Sequence, residues 1–181
     1  MMLIRHAQSE WNRHFSETKV DPGIPDPVLT DLGERQAKAL ALELKTYALS
    51  ALIASPYKRT LQTAEIVAQA LDLPISVNPL VRERCAFSCD IGSNPDTLRE
   101  TRPHIDFSGL EDGWWGEPPE SEAAVIERCA QFRIEHDDLL ARDDIAIISH
   151  WGFIRAFTGE EVDNAAIVHV DPAKSGPLPL G

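Results

Sequence analysis

Residues 145–150 read Ile145-Ala146-Ile147-Ile148-Ser149-His150: four apolar residues, then an abrupt switch to polar ones. A run this short and β-branched predicts a strand, and its lack of polar alternation predicts burial on both faces. Two other segments share the form. Met2-Leu3-Ile4 ends at Arg5-His6, and Ala51-Leu52-Ile53-Ala54 ends at Ser55-Pro56. Ile75-Ser76-Val77 and residues 166–170 are expected to add short strands.

Helical patterns lie between these runs. Thr30 is a good N-cap, with Asp31 and Glu34 suited to the first turn. Ala37, Leu40, Ala41, Leu44 and Ala48 follow at helical spacing. Ser55-Pro56 predicts an N-cap and a first-turn proline for a second helix. Its apolar face would carry Leu61, Ala64, Ala68 and Leu71. A third helix is expected from Ser121 to Ala141, with Val125, Cys129, Phe132 and Leu140 inward. The polar, proline-bearing stretch 13–30 predicts an extended loop. Residues 78–120 look like an irregular insertion with a short helix near Thr97.

Strands alternating with helices predict an α/β fold: a three-layer α/β/α sandwich around a mostly parallel central sheet. One domain over residues 1–170 is expected, followed by a frayed, proline-bearing tail over 171–181.

Composition narrows the partners. The 17 basic and 29 acidic residues leave a net charge of −12, which repels nucleic acid and anionic lipid. No apolar stretch is long enough to span a bilayer, and the start lacks the pattern of an export signal. A cytoplasmic protein is expected, neither nucleic-acid-binding nor membrane-bound; a homo-oligomer is left open. Cys85, Cys89 and Cys129 are then reduced, buried or half-buried thiols rather than a metal site.

In a parallel sheet, ligands bind beyond the carboxyl ends of the strands. Arg5-His6, Ser55-Pro56 and Ser149-His150 all fall there. A lone histidine after a strand is usually a packing residue; two at one rim, beside Arg5 and within reach of Arg59, invite another explanation. Ser9 and Asn12 add uncharged donors. These residue types suit phosphoryl transfer, whose transition state spreads negative charge over three oxygens. Arginine grips phosphate at two points. A neutral imidazole offers a nucleophilic nitrogen, and nearby guanidiniums keep it neutral. A carboxylic acid must then protonate the leaving oxygen.

Arg5-His6-Ala7-Gln8-Ser9-Glu10-Trp11-Asn12 resembles the opening motif of the histidine phosphatase superfamily, the phosphoglycerate-mutase-like superfamily, usually Arg-His-Gly-Glu-(Ser/Thr)-x-x-Asn. Asp26-Pro27-Val28-Leu29-Thr30 with Gly33 and Gln36-Ala37 is similar to its second block. Ser55-Pro56-x-x-Arg59-x-x-Gln62-Thr63-Ala64, Val81-Arg82-Glu83 and Ser149-His150-x-Gly152 are similar to the third, fourth and last. The blocks occur in order over residues 3–155.

The resemblance implies His6 as nucleophile and Glu83 as proton donor, then base. It implies Arg5, Arg59 and His150 around the phosphate, with Asn12 a further oxygen contact. Ser9 and Arg84 are candidates for the rest of the substrate. No metal or organic cofactor is expected. Ala7 and Gln8 depart from the usual glycine and glutamate. Trp151 stands where glycine is common and is expected to wall the pocket.

Other readings stand beside these. Glu83, between Arg82 and Arg84, also fits a surface ion-pair cluster; Asp26, Glu117 and Glu120 are the alternative acids. Trp114, Trp115 and Pro118-Pro119 fit a lid or a satellite core. His14, His104, His136 and His169 read as structural or exposed.

The expected activity is hydrolysis of a small phosphorylated metabolite through phosphohistidine. The alternatives are a phosphoglycerate-type mutase, a protein phosphohistidine phosphatase and a non-catalytic phosphate binder.

Overall fold

Each apolar run becomes a strand, and the strands join one sheet. The computed structural model describes residues 1–171. In it β1 (Met2–Arg5), β2 (Ala51–Ala54), β3 (Ile75–Val77), β4 (Ile145–Ser149) and β5 (Ile167–His169) lie in the order β3-β2-β4-β1-β5. The first four run parallel; β5 pairs antiparallel to β1 at the edge.

The helices are α1 (Glu10–Thr18), α2 (Asp31–Leu44), α3 (Lys58–Leu71), α4 (Pro95–Thr101), α5 (Glu122–Glu135), α6 (Asp137–Leu140) and α7 (Trp151–Thr158). Side chains along a strand point alternately to opposite faces. Met2, Ile4, Leu52, Ala54, Ala146 and Ile148 therefore join a core with Leu40, Leu44, Leu61 and Val67 of α2 and α3. Leu3, Ile53, Ile145 and Ile147 join another with Val125, Phe132, Phe153 and Phe157 of α5 and α7. Both faces are covered, giving the three layers. No helix among the described residues is long and apolar enough to cross a membrane.

Three local expectations need correction. Residues 13–30 are not all loop, because α1 runs to Thr18. Ser9 and Asn12 form a reciprocal capping box, and Trp11 stacks on Phe15 one turn later, so local bonds stabilise a helix of polar composition. Ser55 does not cap α3. The cap position is Tyr57, without a side-chain cap bond, and the Lys58 amide donates to Asp26 Oδ1 at 2.9 Å instead. The helix expected over 121–141 breaks at His136, where φ is −131°, into α5 and α6. Of the two readings of Trp114 the core one holds: it is buried in the α2–α3 core, and its indole donates to the Ser93 carbonyl at 3.0 Å.

The expected short helix near Thr97 is α4. Around it, Leu98, Ile105, Phe107 and Leu110 pack into the same core, so the insertion is integral to the domain. The tail over 171–181, expected to be frayed, lies past Asp171 outside the described residues.

Candidate active site

Sheet register brings the two histidines together. Arg5 pairs with Ser149 and Ala54 with Ile148, so β1, β4 and β2 end side by side. The His6 amide donates to the Ser149 carbonyl at 2.9 Å, and the two imidazole centroids lie 5.1 Å apart. Both rings are buried; His6, with Arg5, Arg59 and Glu83, lines a cavity of about 520 Å³, and His150 lies against His6 with no exposed surface of its own.

His6 Nδ1 lies 2.7 Å from the Ala7 carbonyl oxygen. That oxygen can only accept, so Nδ1 carries the proton and Nε2 holds the lone pair. Burial, then the Arg59 and Arg5 cations, keep the imidazole neutral by pushing its pKa far down. The loop after His6 is clamped from α2. Thr30 N–H donates to the Gln8 carbonyl at 3.0 Å, and the Gln8 amide donates to Gln36 Oε1 at 2.9 Å. Gly33 permits this approach, since a Cβ there would stand 2.1 Å from the Gln8 oxygen. The Gln8 side chain accepts from the Thr30 hydroxyl and belongs to the same clamp.

His150 is pushed down in the same way, by burial first and Arg59 second. Its Nε2 lies 2.8 Å from Ser55 Oγ, which explains why that serine is not a cap. Its Nδ1 is buried without a hydrogen-bond partner among the described residues. A buried polar atom left unpaired in this way is costly unless a ligand satisfies it.

The arginines are held by fixed partners. Arg5 donates to the Val162 carbonyl at 2.7 Å. Arg59 donates to the Cys89 carbonyl at 2.7 Å and to Asp90 Oδ1 at 3.2 Å, with its guanidinium 4.2 Å from the Tyr57 ring centre. Asp90 is itself fixed, because its Oδ2 accepts from the Ala86 and Phe87 amides. Asp90→Ala would leave a buried cation unpaired. It is expected to cost about 3–5 kcal/mol in denaturant unfolding; a loss under about 1 kcal/mol would show that Arg59 does not depend on this partner.

Glu83 is not part of a surface ion-pair cluster. Arg82 pairs with Glu120 at 3.0 Å and Arg84 with Glu122 at 3.3 Å. Glu83 Oε1 instead accepts the Arg84 amide at 2.8 Å and the Gly152 amide at 2.9 Å. Burial, then Asp90, pushes its carboxyl up to about 7. With Oε1 accepting two N–H groups, the acid proton belongs on Oε2. The other acids are engaged elsewhere. Asp26 holds the start of α3 and the Ser93 amide and hydroxyl. Glu120 binds Arg82 and Arg128, and Glu117 is exposed.

Among the remaining candidates, Ser9 and Asn12 line the cavity, with the Ser9 hydroxyl committed to the cap of α1. Asn12 Oδ1 accepts from Ser9 and from Asn164 at 3.3 Å, which leaves its amide nitrogen to donate. Arg84 and Trp151 form wall, as expected of Trp151. The outlying histidines are peripheral: His104 pairs with Glu65, His136 with Asn78 and His169 with Tyr47, while His14 is exposed.

Sequence reasoning missed Asp90 and Asn164, whose Nδ2 donates to the His6 carbonyl at 3.0 Å. Neither sits in a motif, and only folding shows what it holds. It also missed the aromatic side of the cavity, although Trp11 and Phe15 stand one helical turn apart.

Fold and site together define an α/β protein whose cavity suits a tetrahedral anion. The chain belongs to the histidine phosphatase superfamily (branch 1), matched over residues 1–174. It is 35% identical over 113 residues to a probable phosphoglycerate mutase, GpmB, of Cronobacter sakazakii, covering 62% of this chain and 46% of that one. It is 41% identical over 75 residues to phosphoserine phosphatase 1 of Hydrogenobacter thermophilus, covering 41% of this chain and 34% of the other. The chain thus spans less than half the length of these curated relatives. A mycobacterial glucosyl-3-phosphoglycerate phosphatase shares the fold at a TM-score of 0.61 and 20% identity, over 92% of this chain and 87% of its own.

Proposed function

We propose that the protein is a cytoplasmic phosphomonoesterase that transfers phosphate from a small ester to His6 and then to water. The observation that carries this reading is the His6 tautomer, fixed by Ala7 with Nε2 left as the free lone pair. Arg5, Arg59, His150 and the Asn12 amide cradle the phosphate oxygens, and His150 Nδ1 gains the partner it lacks.

His6 Nε2 attacks phosphorus as the P–O bond to the leaving alcohol breaks. The proton on Glu83 Oε2 passes to the departing oxygen. Glu83, now a carboxylate, takes a proton from water as that water attacks phosphohistidine, and phosphate leaves with His6 restored. A carboxyl pushed up to about 7 can serve both half-reactions near neutrality.

Gly152→Ala tests how tightly the acid is placed. A Cβ at this position would stand 2.3 Å from Glu83 Oε1, so the carboxylate must move. We expect a loss of about 10²-fold in kcat on alkyl phosphates with the melting temperature nearly unchanged. Retained kcat would place the acid elsewhere.

Mutase chemistry is the second reading, favoured by the relatives named phosphoglycerate mutase. The two differ in product. Purified protein incubated with phosphomonoesters should release inorganic phosphate. Transfer between substrate hydroxyls without free phosphate would establish the mutase. Release only from a phosphohistidine protein would establish a protein phosphatase, and phosphate binding without turnover a non-catalytic member.

A further inference from the structure

One side of the same cavity is built for something other than phosphate. Trp11 and Phe15 of α1 stack with ring centres 4.4 Å apart and planes 12° from parallel. Phe87, from the loop after Glu83, leans over both at 5.2 and 5.5 Å. All three rings line the cavity that holds His6. They are not spare core: Phe87 is 43% exposed and Phe15 half-buried, on a chain carrying a net charge of −12.

The wall is held in place. Trp11 Nε1 donates to Asp21 Oδ1 at 2.9 Å, and the Ser88 amide donates to Asp21 Oδ2 at 2.8 Å. The Ser88 hydroxyl also bonds Asp21. One carboxylate therefore ties α1 to the loop bearing Phe87, and the ring geometry exists before any ligand arrives. Preorganisation of this kind lowers the ordering cost of binding.

Phosphate and a three-carbon acid would leave much of a cavity of about 520 Å³ unfilled, and Trp11, Phe15 and Phe87 are part of its lining. We propose that this wall receives a flat aromatic ring carried by the alcohol portion of the phosphomonoester. The inference rests on the proposed function only for where the phosphoryl group sits. A ring fits better than a chain because offset and edge-to-face contacts with three tilted rings add to area burial. Lys19 lies 5.9 Å from the Phe15 ring centre, and Arg84 lines the same cavity. A substrate carboxylate would seek them rather than the rings.

Phosphonates separate binding from turnover, because their P–C bond is not hydrolysed. Affinities of the full chain for methyl-, cyclohexylmethyl- and benzylphosphonate and for phosphonoacetate are measured by calorimetry. We expect benzylphosphonate to bind on the order of 30-fold more tightly than methylphosphonate, about 2 kcal/mol, with the cyclohexyl compound between them. Phe87→Ala should cut that preference to under about 5-fold. Phe15→Ala should do the same, which guards against a local effect of one substitution. Equal binding of benzyl and cyclohexylmethyl compounds would overturn the aromatic assignment. Tightest binding of phosphonoacetate would overturn it too, in favour of the cations. A benzyl preference with no hydrolysis of benzyl phosphate would uphold the ring site and overturn the proposed reaction.

Discussion

His6→Ala is expected to abolish phosphate release, with a loss of at least about 10⁴-fold in kcat. The size follows from the ring's position. His6 is buried beside a second imidazole and two guanidiniums, so alanine removes the nucleophile and leaves only a cationic cup. That cup still binds an anion, so inorganic phosphate should bind the variant with an affinity within about 10-fold of wild type. Loss of turnover with binding kept identifies a chemical role. Turnover within 10-fold of wild type would remove His6 from the chemistry.

Glu83→Gln should lower turnover of alkyl phosphates by about 10²–10⁴-fold and of aryl phosphates much less, because an aryl oxygen departs without full protonation. Glutamine is nearly isosteric and its oxygen can still accept from the Arg84 and Gly152 amides, so the fold should be kept. The pH profile carries the sign. The acid form is the donor, and its pKa lies at about 7. For wild type, kcat/KM on alkyl esters should therefore fall roughly tenfold per pH unit above about 7. The glutamine variant has no proton to lose there, and its profile should lack that limb. Equal losses on both ester classes would assign the acid role to another group.

The frame of this molecule is legible in short runs of sequence. Met2-Leu3-Ile4, Ala51-Leu52-Ile53-Ala54 and Ile145-Ala146-Ile147-Ile148 could only be covered strands, and polar residues at their ends mark the rim where His6 and His150 meet. What stayed hidden depends on contacts between distant residues. Ser55-Pro56 has the local form of a helix cap, yet Ser55 faces His150 across 95 positions of chain. Asp26, a plausible acid in isolation, is consumed by amides at Lys58 and Ser93. Glu83 carries no signal of its own between two arginines; its altered acidity arises from burial and from Asp90, a residue no motif contains. Helix α1 was concealed by its short length and polar composition: its apolar stripe is little more than Trp11 and Phe15, and their stacking and a capping box stabilise it.

The phosphoenzyme itself gives the most direct test. Rapid quenching during turnover, followed by nuclear magnetic resonance of the trapped protein, should show one phosphorus bound to nitrogen, stable to alkali and labile to acid. The attachment should be His6 Nε2, because Nδ1 is tied to the Ala7 carbonyl at 2.7 Å. Phosphate on Nδ1, on another residue, or on none while substrate is being consumed would contradict the account.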